Sequence, residues 1–174
     1  DYWLKGTETG IMEEPMLRVW MPESVAPKTH YEFRPGRWVA EPLCPPENPA
    51  AQTWYLNRSG LNQTLETEKP LLFPTSQAVG LNAGVWFPMG AAGEFPGDQC
   101  SADSGSLCFT SEVFEAGMEI LGNPEVTVRL NCDKPKALLA ARLCDVAPDG
   151  TSLLVSWGLL NLTHSNSHED PQAL

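Results

Sequence analysis

Histidines and carboxylates crowd one late stretch of the chain, THSNSHED. His164 and His168 lie four residues apart, and Glu169 and Asp170 follow directly; these residue types ligate metals. A metal site needs ligands held in fixed geometry, however, and adjacent positions in a polar stretch do not supply it. We therefore predict no metal and no cofactor, and surface positions for these histidines and for His30.

A second group of carboxylates lies in the glycine-rich stretch from Thr75 to Asp103. Glu94, Asp98 and Asp103 offer the oxygen ligands that calcium prefers, but their spacing matches no calcium loop. A solvated acidic rim is the interpretation that we favour. Because the stretch has neither helical nor strand periodicity, it is predicted to be a long loop, and such loops are usually functional or mobile.

No residue of the chain has the surroundings of a catalytic nucleophile. The serine of an α/β-hydrolase lies on a sharp turn between small residues, usually as G-x-S-x-G, and no serine here has such flanks. The cysteines are odd in number and widely spread, with no C-x-x-C pair: Cys44, Cys100, Cys108, Cys132 and Cys144. They indicate reduced, buried or half-buried thiols in a cytoplasmic, bacterial-like protein, although Cys100 and Cys108 could pair if oxidised. We predict no catalytic residue.

Charge and composition limit the partners of the protein. Its 11 basic and 22 acidic residues give a formal charge of -11, which would repel phosphate backbones and anionic lipid. No apolar run approaches the length of a membrane span. Hydrophobic residues at 42% and charged residues at 19% are typical of a soluble globular chain. We expect one domain and neither a nucleic-acid nor a membrane partner.

Short strands fenced by proline and glycine dominate the pattern. DYWLKG predicts the last turn of a helix that ends at a left-handed Gly6. Pro15 and Pro22 enclose a strand from Met16 to Met21, and GRWVAEP and QTWYLNRSG are the next strands. With 16 prolines and 14 glycines along the chain, this pattern is typical of all-β sandwiches.

Further strands are predicted in the later part of the chain. SLCFTS is one, and EVTVRLNCD is another because Val126, Val128 and Leu130 would share one face. The stretch ARLCDVAPDGTSLLVSWGLLNL predicts a hairpin with a turn at Pro148, Asp149 and Gly150. Its core-facing residues are expected to be Leu139, Ala141 and Leu143 before the turn, and Leu153, Val155, Trp157 and Leu159 after it.

Six tryptophans raise the alternative of a sugar-stacking surface. Four of them lie in apolar strand-like runs, where we expect burial: Trp20, Trp38, Trp54 and Trp157. Trp86, next to Phe87 in the glycine-rich stretch, is the candidate for an exposed ring.

Two long segments resemble serine hydrolases of the cocaine-esterase and X-Pro dipeptidyl-peptidase type. DYWLKGTETGIMEEPMLRVWM looks like the segment that joins their α/β-hydrolase domain to a C-terminal sandwich. SLCFTSEVFEAGMEILGNPEVTVRLNCDKPKALLAARLCDVAPDGTSLLVSWGLLNLTHSNSHEDP is similar to the core of that sandwich. The resemblance implies a galactose-binding-like jelly-roll β-sandwich at residues 11–174, with residues 1–10 ending the linking helix from an upstream α/β-hydrolase domain.

The resemblance also implies a function. Such enzymes cleave esters, amides or peptide bonds after proline by acyl transfer, and their Ser, Asp and His lie upstream of the matching segment. This chain would then be a non-catalytic domain that walls the active site and stabilises the catalytic domain, and it would be inactive alone. The loop closest to the substrate would present Trp86, Phe87, Phe95 and Asp98.

The final strands of the resembling sandwich have no counterpart in this sequence. We therefore expect a truncated sandwich, which either self-associates through its exposed sheet edge or has been cut from a longer chain. The alternative functions are a free-standing carbohydrate-binding module and a protein-interaction module.

Overall fold

The computed structural model describes residues 1–43, 51–67, 69–74, 76–81, 83–85, 89, 93–165, 167, 169–170 and 172. In chain order its elements are α1 (Tyr2–Lys5), a 3-10 helix (Ile11–Glu13), β1 (Leu17–Pro22), β2 (Gly36–Glu41), β3 (Tyr55–Asn57), β4 (Gly60–Asn62), α2 (Cys100–Asp103), β5 (Leu138–Val146), β6 (Ser152–Asn161) and a second 3-10 helix (Leu162–His164). Strands predominate and each helix is a single turn. The fold class is therefore all-β, as predicted.

The chain divides into two compact units. The first comprises Asp1–Glu23, Phe33–Glu68 and Thr110–Gly122, and the second comprises Ser24–Glu32, Lys69–Phe109 and Asn123–Leu174. The described strands form three antiparallel two-stranded sheets, β1–β2, β3–β4 and β5–β6. The jelly-roll order that the resemblance implies stays a prediction.

The first unit begins with the predicted helix end. Gly6 follows α1 with φ at 65°, and its N–H donates to the carbonyl of Tyr2 at 2.9 Å. Since a left-handed residue is easiest for glycine, this position closes the turn at little cost. β1 and β2 then pair along their full lengths, with Leu17 opposite Glu41 and Pro22 opposite Gly36. The predicted strand bounds hold to within one residue.

Two predictions of tryptophan burial are wrong. Trp38 is 70% exposed, although its ring meets that of Trp20 edge-on with centroids 5.6 Å apart. Trp157 is 46% exposed. Both residues lie in strands of two-stranded sheets, so an apolar strand pattern does not guarantee that another layer covers each ring.

The stretch predicted as one strand, QTWYLNRSG, instead begins a tight hairpin. β3 and β4 pair around a two-residue turn, with Asn57 opposite Gly60. Gly60 has φ at 141°, a conformation that side chains rarely allow. The carbonyl of Thr110 lies against it and accepts a hydrogen bond from the N–H of Leu61 at 2.9 Å.

The second unit contains the predicted long hairpin. β5 and β6 pair from Leu138 opposite Asn161 to Val146 opposite Ser152. At the turn, Gly150 has φ at 88° and Asp149 Oδ1 accepts hydrogen bonds from Thr151. The turn residues therefore do what their types predict.

The face assignment of β6 is wrong because the two strands shift register in the middle. Leu143 is opposite Ser156, whereas Cys144 is opposite Leu154, so Val155 is an additional residue on β6. Residues opposite one another share a face. The additional residue therefore places Leu153 and Trp157 on different faces, and alternation in the sequence cannot show such a bulge.

Two other strand predictions are wrong. Residues 106–111 and 125–133 carry no strand, and the side chains of Val126, Val128 and Leu130 are exposed. A strand exists only when a neighbouring strand supplies hydrogen-bond partners, and alternation alone does not provide one. The buried apolar residues of the described chain are Ala102, Leu153 and Leu162, all in the second unit.

Candidate functional site

Residues 98–106, which we call the docked segment, lie against the β5–β6 hairpin. The N–H of Gln99 donates to the carbonyl of Ser152 at 2.9 Å, and the N–H of Ser152 donates to Asp98 Oδ1 at 3.0 Å. Gln99 and Ser152 are fully buried, and Ala102 is buried beside them. The docked segment thus belongs to the packed part of the second unit.

A turn that Asp98 begins precedes α2 inside this glycine-rich stretch. Asp98 Oδ1 accepts a second hydrogen bond, from the N–H of Cys100 at 3.0 Å. Aspartate commonly binds the backbone two residues ahead and so begins a turn. The N–H of Asp103 then donates to the carbonyl of Gln99 at 2.8 Å, which closes one helical turn. The sequence carries too few residues here for a helical period to be visible.

Arg142 on β5 joins the hairpin to three residues of the docked segment. Its Nη1 donates to Gln99 Oε1 at 2.9 Å, and its Nη2 lies 3.0 Å from Ser106 Oγ and 2.9 Å from Asp103 Oδ1. The side chains of Arg142 and Asp103 are only 16% and 26% exposed. Guanidinium suits this position because its donors form a rigid fork and its hydration is weak.

Two further polar groups of this cluster have partners. Gln99 Nε2 donates to the carbonyl of Gly97 at 2.8 Å, and Ser106 Oγ donates to the carbonyl of Ala102 at 2.6 Å. Buried polar groups that are hydrogen-bonded to one another rigidify a structure. The arrangement therefore fixes the position of a loop.

The structure places two of the four predicted substrate-proximal residues. Trp86 and Phe87 lie outside the described residues. Phe95 packs its ring edge-on against Tyr31 with centroids 5.6 Å apart, and its N–H donates to the carbonyl of Thr29 at 3.1 Å. The ring of Phe95 remains partly exposed.

The carboxylates considered for calcium have separate partners. Asp98 accepts from two backbone N–H groups, whereas Asp103 pairs with Arg142. The hydrogen bonds from Cys100 and then Ser152 lower the pKa of Asp98 because they favour its charged form. Within the described part of the chain, no group of three or more His, Cys, Asp or Glu side chains is placed to hold a metal ion. His168 lies outside that part.

Comparison with known families decides what this arrangement belongs to. The family described as the X-Pro dipeptidyl-peptidase C-terminal non-catalytic domain matches residues 9–174. The chain belongs to this family. Neither the curated proteins nor the solved structures that were compared with the chain gave a match.

Three described thiols of this non-catalytic domain are not activated as nucleophiles. A hydrogen bond to Asp98 raises the pKa of Cys100, and partial loss of hydration raises the pKa values of Cys108 and Cys144. A thiol must become a thiolate to attack, and these groups stay protonated at neutral pH. The four described cysteines are unpaired, and Cys100, Cys108 and Cys132 are exposed, which contradicts the predicted burial.

Sequence reasoning missed the residues that hold the docked segment, namely Arg142, Gln99, Ser106 and Ser152. One signal was present: Arg142 is the only basic residue in the apolar β5 sequence LLAARLCDV. A charge in such a strand needs a partner, and the preceding loop offers Asp103. The sequence could not show which of the nearby acids it would meet.

A shallow depression of about 340 Å³ lies at the other end of the hairpin, lined by Lys136, Ala137, Leu138, Asn161 and Thr163. It contains one basic side chain and no carboxylate. Across the described ranges, the helices are too short or too polar to cross a bilayer.

Proposed function

We propose that the chain is the C-terminal β-sandwich domain of a serine hydrolase that acts as an X-Pro dipeptidyl-peptidase or a related acyl esterase. In this role it walls the active-site cleft and stabilises the catalytic α/β-hydrolase domain. The family match over residues 9–174 carries the proposal. The chemistry belongs to the catalytic domain, where a serine attacks the carbonyl carbon, a histidine carries the proton and an aspartate orients the histidine.

Exposed apolar side chains support a large partner. Val155, Trp157 and Leu159 lie on one strand, β6, and all three are exposed. Apolar surface of this kind often marks an interface with another domain or protein. A permanently attached catalytic domain is a partner of suitable size.

The proposal includes the architecture. The three sheets would belong to a galactose-binding-like jelly roll at residues 11–174, and residues 1–10 would link it to the catalytic domain. The closed helical turn of α1 with its left-handed Gly6 supports a helix end at this place.

The loop nearest the substrate would be the one that presents Trp86, Phe87, Phe95 and Asp98. Phe95 is partly exposed, and the backbone just after it is held by the docked segment. Loops on a rigid scaffold are the usual positions of ligand contacts.

A complementation experiment tests the proposed function. The catalytic domain of the parent peptidase is expressed alone and together with this chain, and hydrolysis of a chromogenic X-Pro anilide and of a nitrophenyl ester is measured. We expect the chain to raise both the activity and the thermal midpoint of the catalytic domain. A catalytic domain that is equally stable and active without the chain would refute the proposal.

Exposure of Trp38 favours one second function, a carbohydrate-binding surface. Its ring is 70% exposed and is supported edge-on by Trp20, an arrangement that offers a face for stacking. Glycan binding that is lost in W38A and kept in W157A would support this function. Absence of binding by the unmodified chain would exclude it.

We also propose self-association through an open sheet edge and a cytoplasmic location. Within the described residues β5 and β6 pair only with each other, so each has an unpaired edge. A strict monomer in sedimentation at high concentration would contradict self-association. The unpaired cysteines suit a reducing compartment, and alkylation in intact cells should modify them.

A further inference from the structure

We propose that Arg142 is a positioning residue for substrate binding. It holds the docked segment against the hairpin and thereby fixes the position of the substrate-proximal loop. The inference rests on the proposed function, since it takes Phe95 and Asp98 to lie beside the substrate. Arg142 itself contacts no substrate and acts through Gln99.

The contacts of Arg142 span the docked segment. Gln99 lies at its beginning, Asp103 at the end of α2 and Ser106 at its last residue, and one guanidinium contacts all three within 3.0 Å. A rigid fork that meets three acceptors restrains both the position and the rotation of the segment. An ammonium group is a single point charge and cannot meet the same acceptors in the same directions.

The two halves of the docked segment are anchored differently. Its first half is tied to the backbone of Ser152, whose carbonyl accepts from the N–H of Gln99 and whose N–H donates to the Asp98 carboxylate. Among the described residues, the hydrogen bonds that join Asp103 and Ser106 to the hairpin are those of Arg142. Loss of Arg142 would therefore free the second half and leave the first half attached.

Gln99 transmits the restraint toward the substrate-proximal loop. Its buried amide lies between Arg142 Nη1 and the carbonyl of Gly97, and these two contacts are 2.9 and 2.8 Å long. Gly97 and Gln99 flank Asp98 in the chain. Without Arg142 the amide loses one fixed partner, and the backbone on both sides of Asp98 gains freedom.

The test uses the complete peptidase that carries this domain. Variants R142A, R142K and D103N are compared with R37A, which removes an exposed arginine that pairs with Glu119 at 2.7 Å. Hydrogen exchange of residues 98–106 reports the restraint, and kcat and KM on a chromogenic X-Pro anilide report substrate binding. D103N is the conservative variant, because asparagine keeps one oxygen that accepts from Arg142, although it loses the charge and gains an NH2 group.

We expect R142A to raise KM about tenfold with little change in kcat, because a loop displaced by 1 Å loses binding geometry. Exchange in residues 98–106 should rise by about the same factor. R142K and D103N should lie between R142A and the parent protein, and R37A should match the parent. If circular dichroism shows that R142A is unfolded, hydrogen exchange and KM are compared between the folded D103N variant and the parent protein instead.

Unchanged exchange and KM in R142A, or faster exchange with unchanged KM, would overturn the inference. A loss of kcat alone would also overturn it, because the defect would then lie in the chemical step. These outcomes differ from failure of the proposed function, in which the catalytic domain would need no help from the unmodified chain.

Discussion

Two arginine–carboxylate pairs of this chain allow a matched test of how burial controls the strength of an ion pair. Arg142 and Asp103 have side chains that are 16% and 26% exposed, whereas those of Arg37 and Glu119 are 57% and 60% exposed. The separations between the charged atoms are similar, 2.9 and 2.7 Å. The pairs therefore differ in exposure, and Arg142 also bonds Gln99 and Ser106, so R142A and R37A compare the free energy of unfolding lost from a shielded cluster with that lost from a solvated pair.

The magnitude for R142A follows from what the substitution leaves behind. Each hydrogen bond to a charged group contributes about 1.5–3 kcal/mol, and Arg142 makes bonds to Gln99 and Ser106 in addition to its pair with Asp103. A fully buried carboxylate that loses its partner costs about 3–5 kcal/mol, and the exposed quarter of Asp103 reduces that figure because water can reach it. We expect R142A to lower the free energy of unfolding by about 2–4 kcal/mol.

Urea unfolding followed by tryptophan fluorescence and circular dichroism measures both variants. R37A should unfold at the same urea concentration as the parent, since a solvated pair contributes little. A double-mutant cycle with D103A should give a coupling energy of about 1–3 kcal/mol for Arg142 and Asp103. Equal shifts of the midpoint in R142A and R37A would refute the reasoning that the docked segment shields this pair.

Three further predictions concern pH, backbone and packing. The pKa of Asp98 is lowered in the folded state. The stabilisation from this carboxylate is therefore present above its ordinary pKa of about 3.9 and is lost as pH falls through the folded-state pKa. We expect D98N to flatten the fall in stability below about pH 4. Gly60 and Gly122 have similar φ values, 141° and 146°. A Cβ at Gly60 would lie 2.5 Å from the carbonyl oxygen of Thr110, whereas a Cβ at Gly122 would meet no atom within 4 Å. G60A should therefore lower the thermal midpoint clearly more than G122A. Leu153 is 6% exposed and Leu159 is 63% exposed, so L153A should cost about 2–4 kcal/mol in urea unfolding and L159A less than about 1 kcal/mol.

Local structure was predictable where the residue types impose it. Gly6 ends α1 and Gly150 closes the β5–β6 turn because both need a left-handed or positive φ that glycine adopts without strain. The bounds of β1 and β2 also followed from proline and glycine, which interrupt pairing. These features depend on a few adjacent residues, so the sequence contains all the information that they need.

Predictions of strand pairing and strand faces, which depend on a segment elsewhere in the chain, were wrong at several positions. Val126, Val128 and Leu130 alternate as a strand would, yet no neighbouring strand pairs with them in the described residues. Val155 is an additional residue on β6, so Leu153 and Trp157 lie on different faces of the strand and not on one face as predicted. Pairing and register are relations between segments, and hydrophobic alternation in one segment does not specify them.

By itself the sequence determined the all-β class, the turns, the family resemblance and the absence of a G-x-S-x-G serine. Only the tertiary structure decided that Asp98 accepts hydrogen bonds from Cys100 and Ser152 and that Arg142 meets Gln99, Asp103 and Ser106. The reason is physical: turn formation depends on adjacent backbone dihedral angles, whereas a partly buried charge takes the partner that folding brings within 3 Å. Here that partner is Asp103, which lies 39 positions away along the chain. Nothing in the local sequence distinguishes it from the other acidic residues nearby.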